Sequence, residues 1–417
     1  MRIVIMAVGS RGDVAPYTGL AVRLREAGHE VTIATHVLFE KLVRSRGLGF
    51  HALPLDTQEE MTSRLVASGT SSPLQVTLAI NKVVAEHARP MADAMLAAAR
   101  QADVVLLSPA GWIGGHVAEG LRLPSMGVYL QPMTPTREFP PPTVTTRSLG
   151  GWGNRKAAAS LRSVGQKPFR AVVDRLRTEL DLPVLKPDAW LAQLDANRWP
   201  ICYGYSPVVV PQPADWPEWN HTVGYWWPAP DPDAKPDAEL VDFIAAGPAP
   251  VYIGFGSMPA EDSDALSAMI VEALRTSRLR AVVNSGWAGL RAAGDDIFTV
   301  SEVPHDWLFP RMAAVVHHAG AGTAGAGLRA GVPTVPVPFM VDQPFWAQRL
   351  ERLGVAPTAI PFRKLDAGRL AAALTEATAK PDYRRRAADV AGHLAREDGA
   401  LGVLRVLERL TGTQDGA

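Results

Sequence analysis

The sequence predicts an α/β protein made of two doubly wound parallel sheets, and three observations predict it. The chain has 417 residues, more than a single hydrophobic core usually supports. Apolar runs of strand length at 2–8, 29–35, 103–108 and 124–130 alternate with helical patterns, as βαβ units require. The alternation restarts near residue 250, with runs at 250–255, 280–284, 298–303, 313–316 and 332–339. Between the halves lies segment 211–236, which holds seven prolines together with Trp216, Trp219, Trp226 and Trp227. Proline at this density stiffens a chain into an extended connector, and the tryptophans suggest that it is packed down.

Composition narrows the function classes. Apolar residues make up 47% of the chain, and 42 basic residues balance 42 acidic ones. No polybasic tail points to nucleic acid. The single cysteine, Cys202, rules out an internal disulfide framework. It sits in the apolar-aromatic run 201–205 and reads as a buried, inert thiol. The apolar run 3–8 is too short for a signal peptide and is interrupted at once by charge. No apolar run reaches membrane-spanning length. The expectation is a cytoplasmic enzyme, monomeric or dimeric, with neither a nucleic-acid partner nor a transmembrane segment.

Taken in order, strand 2–8 ends in the tight turn Gly9-Ser10-Arg11-Gly12-Asp13. A helix over 17–27 stops at Gly28, and strand 29–35 follows. The turn thus stands at the C-terminal end of the first strand, where ligands bind in a doubly wound sheet. Only Gly9 and Gly12 are present, so the Gly-x-Gly-x-x-Gly of a dinucleotide site is missing and NAD binding is disfavoured. Helical segments at 58–67, 73–88 and 90–99 carry Met61, Leu74, Leu78, Ile80, Val83, Met91 and Met95, which form either core or an apolar pocket. Strand 103–108, the turn Ser108-Pro109-Ala110, a helix through His116 and Glu119, and strand 124–130 come next. His116 lies beside Gly114 and Gly115 within that helix, which favours packing over catalysis. Segment 131–153, rich in Pro, Thr and Gly, reads as an irregular loop over a site, or as a poorly ordered one. Met133, Phe139 and Trp152 are its apolar candidates. A helix over 167–180 precedes 199–210, read as the last strand of the first half.

In the second half, strand 250–255 ends in Gly256-Ser257-Met258. A helix over 262–276, strands 280–284 and 298–303, and a short helix over 306–312 follow. The stretch 315–343 then concentrates the chemistry. A buried strand runs into His317 and His318, then Gly320, Gly322 and Thr323 open a helix. The next strand, 332–339, leads to Asp342 and Gln343. Glycines let a backbone approach a bulky anion, and a helix start offers free N–H groups at the positive end of its dipole. Thr323 adds a hydroxyl, and a protonated or hydrogen-bonding His318 reaches the same anion. Helices over 343–354, 365–379, 382–394 and 400–410 complete the chain.

The run His317-His318-Ala319-Gly320-Ala321-Gly322-Thr323, followed by Asp342-Gln343, resembles the nucleotide-sugar signature of family 1 glycosyltransferases. It is closest to the sterol glucosyltransferases and the bacterial antibiotic glycosyltransferases, in which a glycine stands where this chain has Ala319. The turn Gly9–Asp13 with Pro16 resembles the opening of the same enzymes, as do the block 103–140 and the turn Gly254-Phe255-Gly256-Ser257. The resemblance covers nearly the whole chain and is weak at 55–100. It implies the GT-B fold, two Rossmann-like domains facing a central cleft. Residues 1–213 would bind the acceptor, 214–236 would link, 237–395 would bind the nucleotide sugar, and a helix in 396–417 would cross back to the first domain.

The resemblance also implies roles. Ser10, Arg11, Gly12, Gly256, Ser257, His318, Gly320, Gly322 and Thr323 would hold the donor, mainly its diphosphate, while Val303 and its neighbours grip the nucleobase. Plant members place a stacking tryptophan at about Glu302 and a ribose-binding glutamate at Ala326; neither is present here. Asp342 and Gln343 would orient the donor sugar. Asp13 would be the general base of an inverting transfer, since an acceptor hydroxyl must lose its proton as it attacks. The competing role for Asp13 is capping of the first helix. Met61, Leu78, Met133 and Phe139 would line the acceptor pocket. No cofactor and no metal are expected. The co-substrate is a nucleotide sugar, UDP-glucose or a TDP-sugar, and the acceptor is an apolar small molecule such as a sterol, a polyketide or macrolide, or a phenolic. The alternatives are a TDP-deoxysugar-dependent antibiotic glycosyltransferase, a non-catalytic auxiliary relative, and a sugar-nucleotide epimerase on the same fold. The last fits poorly with apolar helices and a proline loop.

Overall fold

Parallel strands wound from their middle outward account for most of the apolar runs. The computed structural model describes residues 1–54, 87–232, 237–256, 262–286 and 289–412. The chain divides into two units, 1–232 with 397–417, and 233–396. In the first unit the strands are β1 (Arg2–Met6), β2 (Glu30–His36), β3 (Gly49–Leu53), β4 (Val104–Leu107), β5 (Ser125–Tyr129), β6 (Ile201–Tyr203) and β7 (Asn220–Thr222). Their order is β3-β2-β1-β4-β5-β6-β7, and every pairing is parallel. In the second unit, β8 (Val251–Gly254), β9 (Ala281–Asn284), β10 (Ile297–Val300), β11 (Val315–His317) and β12 (Thr334–Pro336) are ordered β10-β9-β8-β11-β12, again parallel throughout. Both orders start in the middle and reverse direction once, between β1 and β4 and between β8 and β11. That reversal is the topological switch point of a doubly wound sheet.

Helices cover both faces of the first sheet, so its central strands are buried on both sides. On one face, helix Arg11–Glu26 and the terminal helix Gly399–Thr411 pack Tyr17, Leu20, Leu24, Val403 and Leu407 against Ile3, Ile5 and Val128. On the other, helices Ala88–Ala99, Ile113–Leu121 and Arg170–Glu179 pack Met91, Met95, Val117 and Leu176 against Val4, Met6, Val105 and Leu107. In the second unit, Ile270, Leu274, Leu370 and Leu374 cover Ile253, Val283 and Val316.

Two strands differ from the sequence expectation. Strand β3, Gly-Phe-His-Ala-Leu, has no β-branched residue to announce it, and β7 lies inside the segment expected to be linker. The residues from 211 to 222 belong to the first unit. Trp216 stacks on Tyr203 with ring centroids 4.5 Å apart, and Asn220 hands its Nδ2 hydrogen bond to Thr134 Oγ1 at 3.0 Å. The proline-rich segment 131–149 is likewise held in place. Thr136 Oγ1 donates to Asp215 Oδ1 at 2.5 Å and Arg137 N to Asp215 Oδ2 at 2.9 Å. Helix Gly150–Gln166, absent from the sequence reading, follows that loop. Cys202 is fully buried, and burial pushes its thiol up to about 12, which keeps it protonated and inert.

Candidate active site

The candidate residues gather at the carboxyl ends of the strands beside the two switch points. In the first unit the turn after β1 opens helix Arg11–Glu26, with Ser10 as N-cap. Asp13 lies at the third helical position and closes back on that cap. Its Oδ2 accepts from Ser10 N at 2.9 Å and from Ser10 Oγ at 2.9 Å. Its Oδ1 stands 3.4 Å from Gln131 Nε2, a long contact that leaves this oxygen largely uncommitted. Desolvation pushes the Asp13 carboxyl above the usual carboxylate range, and the bonds from Ser10 and Gln131 offset part of that rise. Oδ2 thus closes the helix start, while Oδ1 has only the long Gln131 contact. Arg11 and Gly12 are exposed on the same first turn.

Two residues that sequence reasoning passed over support this turn. His36, the fully buried last residue of β2, accepts the Gly9 N–H on Nε2 at 3.2 Å. Gly9 needs its lack of a side chain, because φ there is +139° and a Cβ would meet Asp13 Oδ2 at 2.6 Å. Gln131 stands just beyond β5. The only sequence signal for either was a polar residue at the end of a buried strand.

In the second unit, β8 ends in Gly254–Gly256 and β11 ends in His317. The His318 imidazole lies between two glycines. A Cβ at Gly256 would meet His318 Cε1 at 2.7 Å, and one at Gly320 would meet His318 Nε2 at 2.5 Å. Gly256 also has φ +62°, the left-handed region that favours glycine. Helix Ala321–Ala330 starts two residues before Thr323, with Gly320 as N-cap, no side-chain cap and no acidic residue in its first turn. Neither its N-cap side chain nor an acid of its own first turn offsets its positive end. Gly322 is exposed, and a Cβ there would meet no heavy atom within 4 Å. Packing does not require this glycine.

Burial lowers His318 to about 4 and His317 to about 3, so both rings are neutral at pH 7. Of the two forms considered for His318, the lowered value favours the neutral ring over the imidazolium. His317 accepts from Ala319 N on Nδ1 at 3.0 Å, which places its proton on Nε2. Asp342 is buried, with Oδ2 accepting from Trp346 Nε1 at 2.7 Å. Gln343 accepts on Oε1 from the Phe339 and Met340 N–H groups, at 2.8 and 3.1 Å, so its side-chain NH2 is the group left to donate. Val303 is partly buried, three residues past β10, and packs against the core. Ser257 lies outside the described residues.

Of the acceptor candidates, Met133 and Phe139 come together. With Pro132, Thr134, Leu161 and Arg162 they line one small pocket in the first unit. Met61 and Leu78 lie outside the described residues. His116 accepts from Arg177 Nη1 on Nδ1 at 2.9 Å and packs against Trp190 with centroids 4.0 Å apart. Burial and the Arg177 charge lower it to about 3, which suits the packing role.

Comparison with known proteins places the chain. Residues 3–140 match the glycosyltransferase family 28 N-terminal domain, and residues 280–410 match the erythromycin biosynthesis protein CIII-like C-terminal domain. A sterol 3-beta-glucosyltransferase of Arabidopsis thaliana is 33% identical over 423 residues, covering 98% of this chain and 68% of its own length. This chain belongs to the glycosyltransferase family of the sterol 3-beta-glucosyltransferases. A second Arabidopsis member is 34% identical over 422 residues, 97% of this chain and 65% of its own. A member from Neosartorya fischeri is 35% identical over 431 residues, 98% of this chain and 29% of its own. The chain therefore spans about two-thirds of these plant glycosyltransferases and under a third of the fungal one. Among solved structures, the glycotransferase of kitacinnamycin superposes with a TM-score of 0.71 at 20% identity, covering 98% of both chains. The calicheamicin glycosyltransferase gives 0.70 at 18% identity, covering 100% of this chain and 99% of its own. At that identity these show the shared GT-B fold. Among the described residues, no helix is long and apolar enough to cross a membrane.

Proposed function

We propose that this protein is an inverting glycosyltransferase that moves a sugar, glucose from UDP-glucose in the first place, onto a hydroxyl of an apolar small molecule of the sterol, polyketide or phenolic class. The observation that carries the reading is the anion cradle beside the second switch point. An uncapped helix start, a glycine that packing does not need, and a neutral imidazole set between two glycines together suit a bulky anion. The sterol 3-beta-glucosyltransferase names of the relatives supply the sugar and the acceptor class.

In this reading His318 and the N–H groups of the first helical turn bind the diphosphate and stabilise its charge as it leaves. The Asp342 carboxylate and the Gln343 side-chain NH2 orient the sugar hydroxyls. Asp13 takes the acceptor proton through Oδ1 while the acceptor oxygen forms its bond to the anomeric carbon and the bond to the diphosphate breaks. Desolvation suits Asp13 to this work, because a carboxylate with a raised pKa is a stronger base than an exposed one. Met133 and Phe139, which line the small pocket of the first unit, contact part of the apolar body of the acceptor.

The test combines binding and turnover. Asp13→Asn keeps a carbonyl oxygen for the Ser10 cap, so unfolding temperature and UDP-induced stabilisation should hold while turnover falls by roughly 100-fold or more, the scale of general-base removal. Unchanged turnover would confine Asp13 to its cap. Stabilisation by TDP and not UDP would move the donor to the TDP-sugar class, and stabilisation by neither would favour a non-catalytic relative.

A further inference from the structure

We infer that the outward face of helix Gly150–Gln166, with the segments on either side of it, is a docking surface for an anionic lipid bilayer. The chain as a whole has no net charge, yet between Glu138 and Asp174 it contains no acidic residue and six cations: Arg147, Arg155, Lys156, Arg162, Lys167 and Arg170. Two of these have acidic neighbours beyond or beside the segment, Arg155 with Asp215 at 3.8 Å and Arg170 with Asp174 at 3.1 Å. The rest are not neutralised within it.

The same stretch carries four of the large apolar side chains most exposed among the described residues. Trp152 is 73% exposed, Leu149 54%, Val144 52% and Val164 51%. Lys156 lies one turn after Trp152 and places its ammonium 5.8 Å from that ring. An exposed tryptophan flanked by cations fits the boundary between headgroups and acyl chains, where the indole is half immersed and the cations meet lipid phosphate. The helix buries its other side through Asn154 and Ala158. Asn154 fixes the helix start by accepting from Leu149 N at 2.9 Å and donating to Arg137 O at 3.1 Å. The exposed residues are therefore presented by a helix that is itself anchored.

The position of this helix gives the surface a use. Ala158, Leu161 and Arg162, on its inner side, line the pocket that also contains Met133 and Phe139. One helix thus forms a wall of the candidate acceptor pocket and carries the basic, tryptophan-bearing face. An acceptor of the sterol class partitions into bilayers, so docking here would bring the pocket to the phase that holds it. That purpose rests on the glycosyltransferase reading, whereas the binding itself does not.

The experiment is flotation of the full chain with vesicles of phosphatidylcholine alone and of phosphatidylcholine with about 30% phosphatidylserine, without donor or acceptor, at low and high salt. The proposal expects binding to the anionic vesicles at least tenfold stronger than to the neutral ones, and a loss of that preference in about 0.5 M salt, where charges are screened within a few ångströms. Trp152→Ser and the pair Arg147→Glu with Lys156→Glu should each weaken flotation by tenfold or more. All three positions are exposed, so stabilisation by UDP should be unchanged in these variants; an unaltered chain that is stabilised by UDP yet fails to float would overturn the docking surface and leave the donor site standing. Equal binding to both vesicle types, no binding to either, or binding that the variants do not alter would each overturn the proposal. So would capture by an acidic polymer such as heparin in preference to anionic vesicles, since the partner would then be a polyanion.

Discussion

Replacing Gly322 by alanine separates what the fold needs from what the ligand needs. Gly322 is the second residue of helix Ala321–Ala330, its φ lies outside the left-handed region, and a Cβ there would meet nothing within 4 Å. Glycine within a helix is less favourable than alanine by up to about 1 kcal/mol, mainly through backbone entropy. In the first turn about half of that is a fair expectation, so Gly322→Ala should stabilise the second unit by about 0.5 kcal/mol. For a unit of this size that is a rise of roughly 1–2 °C in Tm. In the proposed donor site the methyl would stand where the diphosphate approaches the helix N–H groups. A tenfold loss of affinity corresponds to about 1.4 kcal/mol. At a UDP concentration of about 100 times the original Kd, stabilisation by ligand would fall from about 2.7 to about 1.4 kcal/mol. The assay is thermal unfolding of both proteins with and without UDP, which reads both effects in one experiment. A variant that is more stable and binds UDP as tightly as before would show that the anion does not lie on this turn.

Three further outcomes are expected. Gly256→Ala combines a left-handed φ of +62° with a Cβ 2.7 Å from His318 Cε1; it should lower stability by roughly 1–2 kcal/mol and UDP affinity by tenfold or more in a titration, and an unmoved affinity would detach His318 from the diphosphate. Trp346→Phe removes the 2.7 Å hydrogen bond that holds the Asp342 carboxylate; because Asp342 is assigned to the sugar, KM for the nucleotide sugar should rise several-fold while the Kd of UDP stays constant, and a parallel rise in both would contradict that assignment. Stability should fall as the pH drops below about 6.5. His116, His317 and His318 titrate at about 3, 3 and 4 in the folded protein, well below an ordinary histidine, so the unfolded chain binds up to three protons more between pH 6.5 and 4. Urea midpoints measured from pH 7.5 to 5 should decline, and a UDP-bound sample should decline less if the diphosphate favours a charged His318.

Strand ends were the legible part of this sequence, for a physical reason. A central parallel strand is buried on both faces and reads as an unbroken apolar run, and the residue after it has to turn. Arg2–Met6 and Val251–Gly254 were visible that way, and so were the turns at Gly9–Asp13 and after Gly254. Strand Asn220–Thr222 was not visible, because an edge position asks little of its side chains. Tyr203, Trp216 and Thr134 hold it there, and those contacts are recorded nowhere in the local pattern. Helix Gly150–Gln166 was hidden by its own glycines. Gly150, Gly151 and Gly153 read as breakers, while the helix is set by Asn154 bonding across to Leu149 and Arg137.

The donor loops contain what local pattern reading misses most completely. Ala319 has φ +60° and Val341 φ +54°, although neither is glycine and valine is β-branched. Left-handed backbone costs such residues roughly 1–2 kcal/mol each, so no propensity would place them there. The surrounding structure holds both. Ala319 is fully buried and its N–H is bound by His317, while Val341 is bracketed by the Gln343 bonds to Phe339 and Met340 and by Asp342 tied to Trp346. Each strained residue sits within one position of a candidate donor ligand: Ala319 between His318 and Gly320, Val341 directly before Asp342. A relaxed backbone at either place would turn the neighbouring side chain or N–H group away. Four other non-glycine residues among those described, Arg122, Asp181, Arg198 and Arg278, also have left-handed φ, two of them as helix C-caps; Ala319 and Val341 differ in standing beside His318 and Asp342, where the buried His317 ring and Trp346 hold the backbone.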